Sequence, residues 1–316
     1  MILKNRIIMN NIKKSCLFSR KNIIHTNTQR FIKSQTPAEY CLNQIKQYDY
    51  ENFICTILLK TVPRSVAIAV RSFNVEISRI VEQMSQETIG LMKLTFWEET
   101  IDKCYLKNIK DVPKHPVAIE LFKAITKADL NKRYLKNLVT ARKDNINTHS
   151  FKSLVDIEKY ADQTVSSALY LILEGCNVRD VNADHAASHL GKSQGIVQQL
   201  RCIPYAKKLN FIPLPEEVLI KNQVSQEEVF RGTPSERLSE CVYEVASRAH
   251  QHLIKSKSLM DKVPVNGRPA LLPAIPILNY LENLQKVDYN VLNPSLQQRS
   301  WKILPSIYIS NLRNIY

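Results

Sequence analysis

At 316 residues with six glycines and a formal net charge of +15, the chain is long enough for one large core yet poor in glycine for Rossmann turns or phosphate-cradling loops. Eight basic residues fall within positions 1–38, before the first acidic residue, Glu39, which leaves 36 basic against 29 acidic residues elsewhere. The surplus is therefore concentrated at one end, and the aromatic residues do not alternate with basic ones, so composition argues against nucleic acid as the partner.

The acid-free start carries Lys4, Arg6, Lys13, Lys14, Arg20, Lys21, Arg30 and Lys33 among Ile, Leu, Phe, Ser and Asn. Such a segment can wind into an amphipathic cationic helix, the physical form of a mitochondrial presequence, and residues 1–35 are read as one, with a cut between Arg20 and Gln35. A basic tail that binds anionic lipid or RNA is the alternative reading.

Helical periodicity then runs from Pro37, where proline followed by Glu39 suits a helix start, to about Leu59. Val62-Pro63 interrupts it. A second helix is predicted from about Arg64 to Met84, with Val66, Ala69, Val70, Phe73, Ile77 and Ile80 at helical spacing, and a third from Ser85 to Tyr105. After a loop marked by Pro113, further helices are predicted at about 116–128, 130–143, 150–175, 183–203, 225–231, 234–261, 274–287 and 295–315. No interval resembles an interdomain linker, so 36–316 reads as a single all-α domain. No window reaches the ~18 consecutive apolar residues of a membrane span, so any membrane association is expected to be peripheral. The seven cysteines are far apart, without a Cys-x-x-Cys pair, and read as reduced thiols.

Six segments spread over most of the chain carry a resemblance: Val70-Arg-Ser-Phe-Asn-Val-Glu76, Leu91-Met-Lys-Leu-Thr-Phe-Trp97, Ala183-Asp-His-Ala-Ala-Ser-His-Leu-Gly191, Gln194-Gly-Ile-Val-Gln-Gln-Leu-Arg201, Phe211-Ile-Pro-Leu-Pro215 and Asn293-Pro-Ser-Leu-Gln-Gln298. Residues 38 to about 300 resemble the squalene/phytoene synthase superfamily, and more closely its mitochondrial subgroup that serves in assembly of respiratory complex I. The resemblance implies an isoprenoid-synthase-like helical fold around a central cavity.

In catalytic members of that superfamily, two helices each carry an aspartate and a second one four residues later, and together they bind the magnesium ions that hold a substrate diphosphate. The matching positions here are Asn74, Ser78, Cys202 and Ala206. Four anionic ligands have become none, Pro204 disturbs the second helix, and Glu76 lies about 160–200° around the helix from Asn74 and Ser78. The resemblance also aligns Tyr160 with a family tyrosine, followed by Ser166 and Leu169 at the cavity mouth, where smaller residues are expected. Arg71 and Arg201 stand beside the two motifs with Lys207 and Lys208 near the second, so possible anion contacts remain; the plainer reading is that both arginines bridge buried polar groups.

His185 and His189 share a helix face beside Asp184, but no third ligand follows at fixed spacing, and helix capping by Asp184 with packing by the histidines is preferred to a metal site. His250 and His252 lie on different faces. No catalytic residue, metal or cofactor is therefore assigned. The expectation is a non-catalytic protein on the matrix side of the mitochondrial inner membrane that supports biogenesis of a membrane-arm subunit of complex I, with complex I subunits or other assembly factors as partners. A prenyl-lipid or quinone-precursor carrier, or an active isoprenoid-diphosphate transferase, are the competing readings.

Overall fold

The computed structural model describes residues 35–84 and 86–316, so residues 1–34 of the expected presequence lie outside the described residues. Among the described residues fifteen α-helices follow one another: α1 Pro37–Tyr48, α2 Tyr50–Ile57, α3 Thr61–Gln83, α4 Glu87–Tyr105, α5 Pro116–Ala128, α6 Lys132–Asp144, α7 Leu154–Ala161, α8 Ser167–Gly175, α9 Val181–Cys202, α10 Ala206–Leu209, α11 Glu216–Lys221, α12 Gln226–Arg231, α13 Glu236–Ser258, α14 Ala274–Lys286 and α15 Ile303–Arg313. Among the described residues the β-structure is limited to an isolated bridge between Ser150 and Ile212. The all-α expectation holds.

Local chemistry sets many of the boundaries. Pro116 opens α5, Ser153 and Ser225 form capping boxes with Asp156 and Glu228, and Asn131, Asp180 and Ser235 cap α6, α9 and α13. Asp180, not Asp184, is the cap of α9, because that helix starts at Val181, two residues earlier than expected. Pro63 does not delay α3, which begins at Thr61, since proline in a first turn forfeits no intrahelical donor.

Three expected helices are broken. The first divides at Asp49, and the segment 150–175 is two helices joined by a π-turn over Asp162–Ser166. The last expected helix is a short 3₁₀ turn over Pro294–Gln297 followed, after a gap, by α15, with Pro305 accommodated near its start. Helix α11 was not anticipated, although Pro215 followed by Glu216 and Glu217 is a start signal.

The buried side chains fall into two main groups. One centres on Phe73, Ile77, Leu94, Ile101, Leu121 and Leu138 of α3 to α6. The other joins α7, α8, α9, α13 and α14 through Ile157, Leu190, Ile196, Val245, Leu253 and Leu284. Between them runs α8, whose Ala168 and Leu171 face the first group and whose Leu169 and Ile172 face the second. No helix of the described residues is long and apolar enough to cross a membrane.

Candidate functional site

Asn74 and Ser78 lie one turn apart on α3, but neither side chain is available to a metal. The Asn74 amide oxygen accepts a hydrogen bond from Arg142 Nη2 at 2.8 Å, and the Ser78 hydroxyl turns back to donate to the Val75 carbonyl at 2.9 Å. Arg142 comes from the last turn of α6, is 5% exposed, and also donates Nη1 to the Leu138 carbonyl at 2.6 Å. Burial pushes this guanidinium down from its ordinary range, opposed by Tyr160 and Glu82. A buried cation therefore stands on the Asn74 side chain.

The segment from Cys202 to Ala206 is not a continuous helix. α9 ends at Cys202, Ile203–Tyr205 form a 3₁₀ turn with Pro204 inside it, and Ala206 opens the one-turn helix α10. The spacing of four therefore does not place Cys202 and Ala206 on one regular helix face. Burial pushes the Cys202 thiol up to about 11, so it is protonated at neutral pH, and Ala206 is buried without a donor atom. An amide oxygen already bonded to an arginine, a hydroxyl, a neutral thiol and a methyl group do not fit magnesium, which needs hard anionic oxygens in near-octahedral array. More generally, among the described residues no three His, Cys, Asp or Glu side chains are grouped to hold a metal ion.

The two motif arginines are occupied by acidic residues from the α1–α2 junction. Arg71 is buried 3.8 Å from Asp49, and Arg201 binds Glu51 through two hydrogen bonds, 2.7 and 3.1 Å, while stacking 4.5 Å above the Tyr280 ring. Burial pushes the Asp49 carboxyl up, opposed by Arg71 and by the Asn52 amide, and pushes Arg71 down, opposed by Asp49. The break at Asp49 makes this possible, because it brings two carboxylates separated by one residue to two different arginines. Lys207 and Lys208 stay exposed at the end of α10. Glu76 faces away from Asn74, where it accepts from Gln44 and lies 4.0 Å from His115.

Tyr160 sits partly buried against Phe151, with ring centroids 5.5 Å apart. Ser166 is fully buried and donates to the Ser188 carbonyl at 3.2 Å, so it serves the contact between the π-turn and α9, and Leu169 is core.

The histidines form an arrangement that sequence spacing did not reveal. His189 Nε2 lies 3.2 Å from His185 Nε2, His189 Nδ1 lies 2.8 Å from His252 Nδ1, and His252 Nε2 lies 3.2 Å from Glu158, which also accepts from Arg248. A proton can run from His185 to His189 and from His189 to His252 only while His189 and His252 each keep one unprotonated ring nitrogen, because a second proton on either would set two N–H groups face to face. Burial, reinforced by His252 and His185, holds His189 down at about 4. The partner His252 comes from α13, 63 residues away, and its burial in an amphipathic helix was the available signal.

The fold is shared with squalene synthase HpnC from Alicyclobacillus acidocaldarius, on which the chain superimposes with a TM-score of 0.70, at 16% identity, covering 80% of this chain and 95% of that one. The chain belongs to the squalene/phytoene synthase family, whose model matches residues 45–303. It is 40% identical over 277 residues to bovine (Bos taurus) NADH dehydrogenase (ubiquinone) complex I, assembly factor 6, covering 88% of this chain and 82% of that protein. It is 41% identical over 281 residues to the Drosophila melanogaster homolog of the same factor, covering 88% and 84%.

Proposed function

We propose that this chain assists an early step in the assembly of mitochondrial respiratory complex I without catalysing prenyl transfer. The observation that carries the non-catalytic part is the Arg142 guanidinium hydrogen-bonded to Asn74, a fixed internal cation where the family's catalysts gather carboxylates around magnesium. The curated relatives named as complex I assembly factor 6 support the assembly role. On this reading Asn74, Ser78, Cys202 and Ala206 are vestiges of the two aspartate motifs, and the helical shell serves as a binding surface for complex I subunits or other assembly factors.

The same reading places the protein in mitochondria, imported by a presequence within residues 1–35 and held peripherally on the matrix side of the inner membrane. Its support is the acid-free basic start. Deleting the gene is expected to deplete complex I ahead of the other respiratory complexes; equal depletion of all of them overturns the specific role. The purified protein is expected neither to bind nor to turn over farnesyl diphosphate with magnesium, and turnover would restore the transferase reading. Native mass spectrometry separates scaffold from carrier, since a stoichiometric prenyl lipid favours carriage.

A further inference from the structure

The carboxyl-terminal helix α15 presents an apolar face to solvent. Leu304, Tyr308 and Leu312 recur every four residues along it, 45%, 55% and 67% exposed, with Ile309 beside them and Trp301, 76% exposed, just before the first turn. These side chains do not result from a frayed end. Ile303 and Ile307 on the opposite face pack with Ile54, Cys55 and Leu272, the Tyr316 hydroxyl donates to the Ser256 carbonyl at 3.2 Å, and Arg268 Nη1 donates to the Asn314 carbonyl at 3.4 Å.

Charge indicates what covers this face. After Asp288 the chain has no acidic residue, while Arg299, Lys302 and Arg313 are all exposed, and the latter two fringe the same edge as Ile309. Nearby Glu51 is committed to Arg201. An apolar stripe with a tryptophan and a tyrosine, flanked on one edge by Lys302 and Arg313, matches the boundary layer of an anionic bilayer, where aromatic rings sit at headgroup depth and basic side chains meet lipid phosphates. Eleven residues span about 16 Å, too short to cross hydrocarbon but suited to lying in its surface.

We propose that Trp301, Leu304, Tyr308, Ile309 and Leu312 form a membrane-seating face that docks α15 in the plane of an anionic lipid surface, which rests on the peripheral-membrane reading above. The face is already folded and packed on the core before it binds, so docking orders little further chain and fixes how the helical shell stands on the membrane.

The test uses the full chain with vesicles of phosphatidylcholine alone or with phosphatidylglycerol at roughly three to one. Wild-type protein is expected to float with the anionic vesicles and to show a blue shift in tryptophan emission. W301F should abolish the shift, because the other tryptophan, Trp97, is 3% exposed. L304E/L312E should lower partitioning by about ten-fold while melting at the wild-type temperature. The control M92E/I220E adds the same charge at positions 71% and 77% exposed elsewhere, and should bind as wild type. The proposal is overturned if the control loses as much binding as L304E/L312E, or if wild type floats with unchanged Trp301 emission and L304E/L312E floats equally well; that result leaves peripheral association intact. Failure of the wild type to float on either vesicle sinks the peripheral reading itself.

Discussion

Arg71 and Asp49 show how a single residue's partner decides its role. Removing the arginine leaves the Asp49 carboxylate without its counter-charge in a poorly hydrated place, so Arg71→Met is expected to cost about 3 kcal/mol in chemical denaturation. The histidine chain makes a pH-dependent contribution of known sign. The His189 pKa is near 4 in the folded protein against 6.5 for the free side chain, so the unfolded chain binds more protons between these values. Its stabilisation is complete above about pH 6.5 and is lost as pH falls toward 4. Allowing for the ring's partial exposure, about 1 to 2 kcal/mol is at stake, and His189→Gln should flatten unfolding free energy across that window. Lys192 and Lys255 act on His189 in the same direction as His185 and His252. Were the slope unchanged in the variant, the histidine chain would not be its source.

At the scale of the element, the contact between α9 and the π-turn depends on glycine. A Cβ on Gly191 would lie 2.6 Å from the Ser166 backbone nitrogen, and Gly195 meets Ala161 almost as closely. Backbone is in the way at Gly191, so the clash cannot be relieved by a rotamer change, and Gly191→Ala is expected to destabilise by about 2 kcal/mol or more by thermal melting. Two of the chain's six glycines four apart on one helix were a legible signal for this close approach. The π-turn was not legible, because a single inserted residue barely disturbs the apolar pattern that identifies a helix. Proline was informative by position: Pro116 starts a helix, Pro63 sits harmlessly in a first turn, and Pro204 lies in the 3₁₀ turn where regular helix stops between Cys202 and Ala206.

For the whole molecule, the six described cysteines are free, and five of them are buried. Burial pushes the Cys41, Cys176 and Cys241 thiols up to about 11 and Cys55 and Cys104 to about 12. These five should resist alkylation at neutral pH in the native protein and react together on denaturation, as read by mass spectrometry; ready native labelling of any of them would show that its core group opens locally.

The helical class and most helix starts were legible in the chain alone, because apolar spacing and first-turn prolines are local properties. What Asn74, Arg71, Arg201 and His189 face emerges only in the packed fold. The pairing of Asp49 and Glu51 with Arg71 and Arg201, the seating of Arg142 on Asn74 and the meeting of His189 with His252 join residues from 22 to 150 positions apart. Such distances in sequence are closed by helix packing, and no pattern confined to one helix records which faces will meet.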